Sequence, residues 1–235
     1  MTWNAGRLHF GRWLGGAHDS RASDEDMAIL AQRITAAGAD VVSLQELAGP
    51  HQSKLLLTFL GDAWVGAAAT PDLFDRTTAI VVRRSLTRGF EVVPTSSGRL
   101  AVAALLPGTA VLALHVDAWR SRVRAQQVGE LVAWSVRREE PRVILAGDLN
   151  LDLDHPVTQD AHDRATAALL DKELVDLTGS HGPTWCLGRR LDYILGRRPA
   201  PRAHTAHLAR AERLPLGDHF PLVVDVEALA QKDLV

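Results

Sequence analysis

Four consecutive apolar residues, Val143-Ile144-Leu145-Ala146, read as a buried strand. Asp148 and Asn150 follow at its carboxyl end, where open α/β sheets collect ligands. Upstream, Arg120 to Arg138 reads as a helix with Val123, Gln127, Leu131 and Trp134 on or near one face, and Pro141 breaks the chain between helix and strand. The same order occurs earlier. Ser23 suits an N-cap, Asp24, Glu25 and Asp26 suit a first turn, and a helix to about Ala37 ends at Gly38. Asp40 to Gln45 then reads as a buried strand that ends at Glu46. Helix, strand and acid thus occur twice, about 100 residues apart, as a structural pseudo-repeat.

Further apolar runs predict strands at Thr78–Val82, Leu100–Leu106, Ala110–His115, Leu191–Leu195 and Pro221–Val226. Helices are predicted near Gln52–Leu60 and Val157–Leu170, and Pro107-Gly108 between two apolar runs is a hairpin signal. Crossovers mixed with hairpins predict an α/β (α+β) fold, two packed mixed sheets with helices outside. No Pro/Gly-rich gap divides the chain, so residues 1–235 are read as one domain.

Composition narrows the class. At 46% hydrophobic the chain can bury a sizeable core, and no apolar run reaches the ~18 residues of a membrane-spanning helix. The first residues lack the basic start and apolar core of a signal peptide. Cys186 is the only cysteine, which excludes an intramolecular disulfide and makes a reducing, cytoplasmic setting the expectation. Net charge is −2, unlike the strongly basic balance of many nucleic-acid binders, although a local patch would suffice. Arginine outnumbers lysine 23 to 3, which reads mainly as coding bias.

Six short motifs set polar groups beside apolar segments: Thr2-Trp3-Asn4, Leu44-Gln45-Glu46, Leu114-His115-Val116-Asp117, Gly147-Asp148-Leu149-Asn150, Leu191-Asp192-Tyr193-Ile194 and Gly217-Asp218-His219-Phe220-Pro221. Singly each is weak, since an Asp-His pair is usually a solvated turn and a Glu after a strand is commonly a surface residue. In this order and spacing they resemble the endonuclease/exonuclease/phosphatase superfamily, which includes AP endonucleases, pancreatic-type deoxyribonucleases and inositol polyphosphate 5-phosphatases. The resemblance runs from Trp3 to Val226, and Arg124-Ala125-Gln126-Gln127 and Thr184-Trp185 add to it.

The resemblance implies a four-layer α/β sandwich with the site on the rim between two mixed sheets. It also implies Mg²⁺-dependent hydrolysis of a phosphate ester, with Mn²⁺ as the alternative ion. Mg²⁺ takes hard oxygen ligands and keeps several waters, so one or two carboxylates suffice. Glu46 is expected as the first metal ligand, with Asn4 beside it and Asp218 as a further contact. Asp148 is expected to orient and deprotonate the attacking water, and Asn150 to hold the phosphate and fix Asp148. His219 and His115 are expected on phosphate oxygens, and Asp192 is expected to orient a histidine. His219 in place of Asp148 as general base stays open.

Two positions depart from the AP endonuclease pattern: Gly6 stands where those enzymes carry an acid, and His115 where they carry a tyrosine. Both speak against a dedicated AP endonuclease. The leading substrate reading is a phosphodiester, most simply nucleic acid; a phosphomonoesterase for a small phosphorylated metabolite is the alternative. Arg120, Trp119 and Arg76 are the candidate substrate contacts, while Arg122, Arg189 and Arg190 read mostly as surface charge. No membrane-docking hairpin is visible. A non-catalytic binding protein on this fold would have no physical need for so many costly polar groups at one rim. The chain has no Gly-x-Ser-x-Gly turn and no His-Glu-x-x-His, which disfavours serine-hydrolase and zinc chemistry.

Overall fold

The computed structural model describes residues 1–5, 24–69, 76–156, 159–179, 182–199, 203–208 and 218–226. In chain order its elements are β1 (Thr2–Asn4), α1 (Asp24–Ala36), β2 (Val41–Ala48), α2 (Pro50–Leu60), β3 (Trp64–Ala69), β4 (Arg76–Arg83), β5 (Gly89–Pro94) and β6 (Leu100–Leu106). Then come β7 (Thr109–His115), α3 (Ser121–Val136), β8 (Arg142–Asp148), α4 (Ala161–Glu173), β9 (Leu174–Asp176), β10 (Asp192–Arg197), β11 (Ala203–Leu208) and β12 (Leu222–Val226).

Two six-stranded mixed sheets result, ordered β11-β12-β1-β2-β4-β3 and β5-β6-β7-β8-β10-β9. Each has one parallel pair, β1–β2 and β7–β8. Parallel neighbours need a crossover, which α1 and α3 supply. Strand alternation builds the layers. In β4, Ala79 and Val81 pack with Met27, Leu30, Leu56 and Trp64 on the helix side, while Ile80 and Val82 face the other sheet. In β8, Val143 and Leu145 pack with Val128, Leu131 and Leu170, while Ile144 and Ala146 face inward. Helix, sheet, sheet and helix make the four-layer α/β sandwich.

Several boundaries differ from those the sequence predicts. α2 begins earlier, with Pro50 in its first turn, where a missing N–H costs nothing. α4 begins later, because Asp160 caps it by accepting from His162 N and Asp163 N. Strand β2 does not stop at Glu46: its register with β4 shifts between Leu44 and Leu47, and Glu46 has φ 60. The Pro107-Gly108 hairpin joins β6 to β7, with Leu106 opposite Thr109. Ser23 and Gly6 lie outside the described residues.

Candidate active site

Strands β1, β2, β7 and β8 end at one rim, and β10, antiparallel to β8, begins there. The inward faces of β1 and β2 are polar: Thr2, Asn4, Ser43 and Gln45 are all buried. Ser43 Oγ donates across to Ala146 O at 2.8 Å, and Asn4 Nδ2 donates to Asp148 Oδ2 at 2.8 Å. These two bonds tie the sheets together at the level of the acids.

Asp148 Oδ2 is the centre of the cluster. His115 Nε2 lies 3.8 Å from it and His219 Nε2 3.9 Å, both beyond direct hydrogen bonding. The other oxygen, Oδ1, accepts from the backbone N–H of Asn150 at 2.7 Å. The turn that makes this bond holds Asn150 at φ 48. Asn150 thus fixes Asp148 through its main chain, while its side-chain amide donates to Val116 O at 3.1 Å. Gly147 is required for close approach: a Cβ there would stand 1.9 Å from Leu114 O.

His219 is positioned from three sides. Its Nδ1 meets Asp192 Oδ2 at 2.7 Å, its carbonyl accepts from Trp3 Nε1 at 3.1 Å, and it bridges to Trp185. Asp192 is fully buried, and its N–H is held by Thr184 Oγ1 at 3.0 Å. Asp192 Oδ1 is buried with no hydrogen bond, so its charge is left to act on His219. Asp218 Oδ1 lies 3.9 Å from His219 Nε2, and Asp218 Oδ2 accepts from Trp185 Nε1. Glu46, carried by the β2 bulge, brings Oε1 to 3.7 Å from His115 Nε2.

Electrostatics follow from this crowding. Burial, helped by the Asp192 charge, pushes the Asp148 carboxyl up to about 7 against the opposing charge of His219. Burial works against a charged His219, but the charge and hydrogen bond of Asp192, with Asp148 and Asp218, more than offset it and hold the imidazole up at about 10. Asp148, Asp192 and His219 place ligand atoms within 4.8 Å of one another. Asp192 Oδ2 and His219 Nδ1 are already spent on each other, which leaves the Glu46 and Asn4 side of Asp148 as the better seat for a hard divalent cation.

The substrate-side candidates are more scattered. Trp119 is almost wholly exposed, and Arg120 is bound to Asp117 through Nη2 at 2.7 Å. The side chain of Arg76 lies outside the described residues. Arg190, grouped with the surface arginines on sequence grounds, is buried: it pairs with Asp154 and Asp176 and lies 4.4 Å over the Tyr193 ring. Sequence reasoning gave no role to Ser43 or the Arg124–Asp163 ion pair, whose partners lie far away in the chain, nor to Asp117, which binds Trp119 and Arg120 just beyond it. The available signals were Ser43, alone polar between Val42 and Leu44, and the motifs that carry Asp117 and Arg124.

The family model of the endonuclease/exonuclease/phosphatase family matches residues 1–219. The chain belongs to that family. Its members are metal-dependent phosphoesterases, and the chain is such an enzyme. Among solved structures, humanized TDP2 of D. rerio is 21% identical over 97% of each chain with a TM-score of 0.70. A family protein from Beutenbergia cavernae is 22% identical over 96% of this chain and 70% of that one, also at 0.70. The 3′ phosphatase NExo from Neisseria, bound to product DNA hairpin, is 18% identical over 97% and 98%, at 0.68. These likenesses show the shared fold. A comparison with curated proteins finds no match. Among the described residues, no helix is long and apolar enough to cross a membrane.

Proposed function

We propose that this phosphoesterase cleaves phosphate esters of nucleic acid with Mg²⁺ as its metal. The observation that carries the proposal is one carboxylate oxygen, Asp148 Oδ2, faced by two imidazole Nε2 atoms and by Asn4, with a further acid, Glu46, beside them. Nucleic acid is favoured because D. rerio TDP2 was solved with single strand DNA product and NExo with a product DNA hairpin. A 440 Å³ cavity between the sheets lies at the opposite rim, lined by Val41, Leu106, Ile144 and Val224, and does not speak for a small phosphorylated metabolite.

The donor set fits a hard cation: it is carboxylate and amide oxygen, and Glu46 is only half-buried. Glu46, with Asn4 and Asp218, would hold the ion, which when bound neutralises charge on the phosphoryl oxygens. Asp148, fixed by Asn4 and by the Asn150 N–H, receives the proton of the attacking water at Oδ2. Asp192 holds His219 in its cationic form, with Nε2 turned toward a non-bridging phosphoryl oxygen. His115 Nε2 donates from the other side. The leaving oxygen, opposite the attacking water, would take its proton from solvent.

The test is turnover of supercoiled plasmid and of a 3′-phosphorylated oligonucleotide, with Mg²⁺ or EDTA, beside Asp148→Asn. Mg²⁺-dependent product that disappears in the variant is expected. Equal turnover in EDTA, or an active Asp148→Asn, overturns the proposal.

A further inference from the structure

Among the described residues, the two most exposed large hydrophobics are Trp119 at 89% and Leu187 at 71%. Both stand on loops at the acid-bearing rim. Trp119 follows β7 and Leu187 precedes β10, and β8 with Asp148 lies between those two strands. Asp148 is therefore straddled by two apolar projections. Exposing an indole to water forfeits burial worth ~2 kcal/mol, so one held out beside a catalytic rim points to an occupant.

The Trp119 loop is fixed from within. Asp117 Oδ1 accepts from the N–H groups of Trp119 at 2.9 Å and Arg120 at 2.7 Å. Asp117 N donates to Gln127 Oε1 at 2.7 Å, and Asp117 O accepts from Arg124 Nη1 at 2.8 Å, with Arg124 anchored on Asp163. Arg120 spends Nε and Nη2 on Asp117 Oδ2. What this loop presents outward is thus an aromatic face beside an exposed guanidinium already paired with Asp117. Leu187 is fixed likewise, at the tip of a turn closed by Gly188 N on Trp185 O at 3.0 Å and tied to Asp218 O through Cys186 N. Trp119 is four steps along the chain from His115, so their Cα atoms are no more than about 14 Å apart, within reach of a residue adjoining the scissile ester.

We infer that Trp119 is a preorganised stacking platform for an unpaired base flanking the scissile phosphate, so that the enzyme prefers single-stranded ends to base-less phosphoesters. The inference rests on the nucleic-acid reading above. A duplex would keep its base faces in its own stack, whereas an unpaired base offers a π-face of any sequence. Preorganisation by Asp117 spares the ordering entropy of the loop.

The experiment compares a short single-stranded oligothymidylate with an abasic phosphodiester chain of the same length, in Mg²⁺, for the wild-type protein, Trp119→Ala and Trp119→Phe. The expected result is that the ratio of kcat/KM between the two substrates falls about tenfold in Trp119→Ala, through KM, and largely recovers in Trp119→Phe. Anisotropy of labelled oligothymidylate in EDTA should show the same loss of binding without turnover. Wild-type turnover with an unchanged ratio and unchanged binding in Trp119→Ala overturns the Trp119 assignment alone. No metal-dependent turnover of either chain by the wild-type protein overturns the nucleic-acid reading and this inference with it.

Discussion

The two halves of the molecule repeat one plan with different chemistry. The order β1–α1–β2–α2–β3–β4 is matched by β7–α3–β8–α4–β9–β10, and the two sheets have corresponding strand orders. Each half then sends its last hairpin, β5–β6 or β11–β12, to the edge of the other half's sheet. At the shared rim, Asn4 pairs with Gln45 in one sheet and His115 with Asp148 in the other. The next strand brings Thr78 in one and Asp192 in the other. One half therefore presents three neutral polar groups and its counterpart three titratable ones. The first half contributes an acid only by leaving the regular ladder, through the bulge that carries Glu46. The buried, regular half is suited to hold and move a proton, and the half-buried bulge is suited to exchange a cation with solvent.

The sharpest way to break this division is to neutralise one acid from each half. Asp148→Asn should lower kcat by about a thousandfold, in the range expected for losing a general base. The half-saturating Mg²⁺ concentration should change little. A variant with near-wild-type kcat would remove the proton-transfer role from the second half.

Gly147→Ala tests the backbone of the same half. The added Cβ would meet Leu114 O between two central strands, a contact that no side-chain motion relieves. A loss of about 3 kcal/mol or more in urea unfolding is expected. A stable Gly147→Ala protein would mean that β7 and β8 do not approach as described.

How much of this comparison was legible in the sequence depends on where a strand lies. The central strands β2, β4, β6, β7, β8, β10 and β12 showed as apolar runs because both faces, or nearly both, are covered. Of the strands missed, β3, β5, β9 and β11 are the four sheet edges, and β1 is central but only three residues long. Edges bury less: β5 keeps only Val93 buried, and β9 is three residues long. The positions of Asp148 and Asp192 at strand ends were readable for the same reason as the strands, whereas Glu46, expected at the end of β2, lies inside it on the bulge. Their geometry was not readable. The Asn4–Asp148 bond spans 144 residues and depends on how closely the sheets pack, and nothing in Leu44-Gln45-Glu46 announces a bulge.

Glu46→Gln addresses the first half. Half-saturating Mg²⁺ should rise about 10–100-fold, read by titrating activity, with kcat at saturation much less affected than in Asp148→Asn. Thermal stability in EDTA should not change, since Glu46 is part-exposed on a bulge. An unchanged Mg²⁺ requirement would move the metal away from β2.

The buried half also stores a cost that pH should reveal. Asp148 holds its proton up to about 7 in the folded state, whereas an unfolded aspartate releases it near 3.8. Between those values the native state binds more protons, so raising the pH destabilises it, and the penalty is complete above pH 7. Asp148→Asn lacks that penalty. In EDTA, its Tm advantage over the wild-type protein should widen by several degrees from pH 5 to pH 8. A gap that is constant or narrows would show that Asp148 is not strained by its burial.

The smallest effect concerns the seam between the halves. Ser43 Oγ donates to Ala146 O and accepts from Gln45 Nε2 at 2.6 Å, in a layer otherwise packed by Ile80, Ala113 and Ile194. Ser43→Ala removes a bond worth about 1 kcal/mol and leaves Gln45 Nε2 to find another acceptor. Urea unfolding should record that loss with kcat unchanged, because Asn4 still fixes Asp148 across the same gap. A fall in kcat larger than the fall in stability would mean that the two halves are aligned by Ser43 rather than by Asn4, and that the division of labour between them depends on the seam.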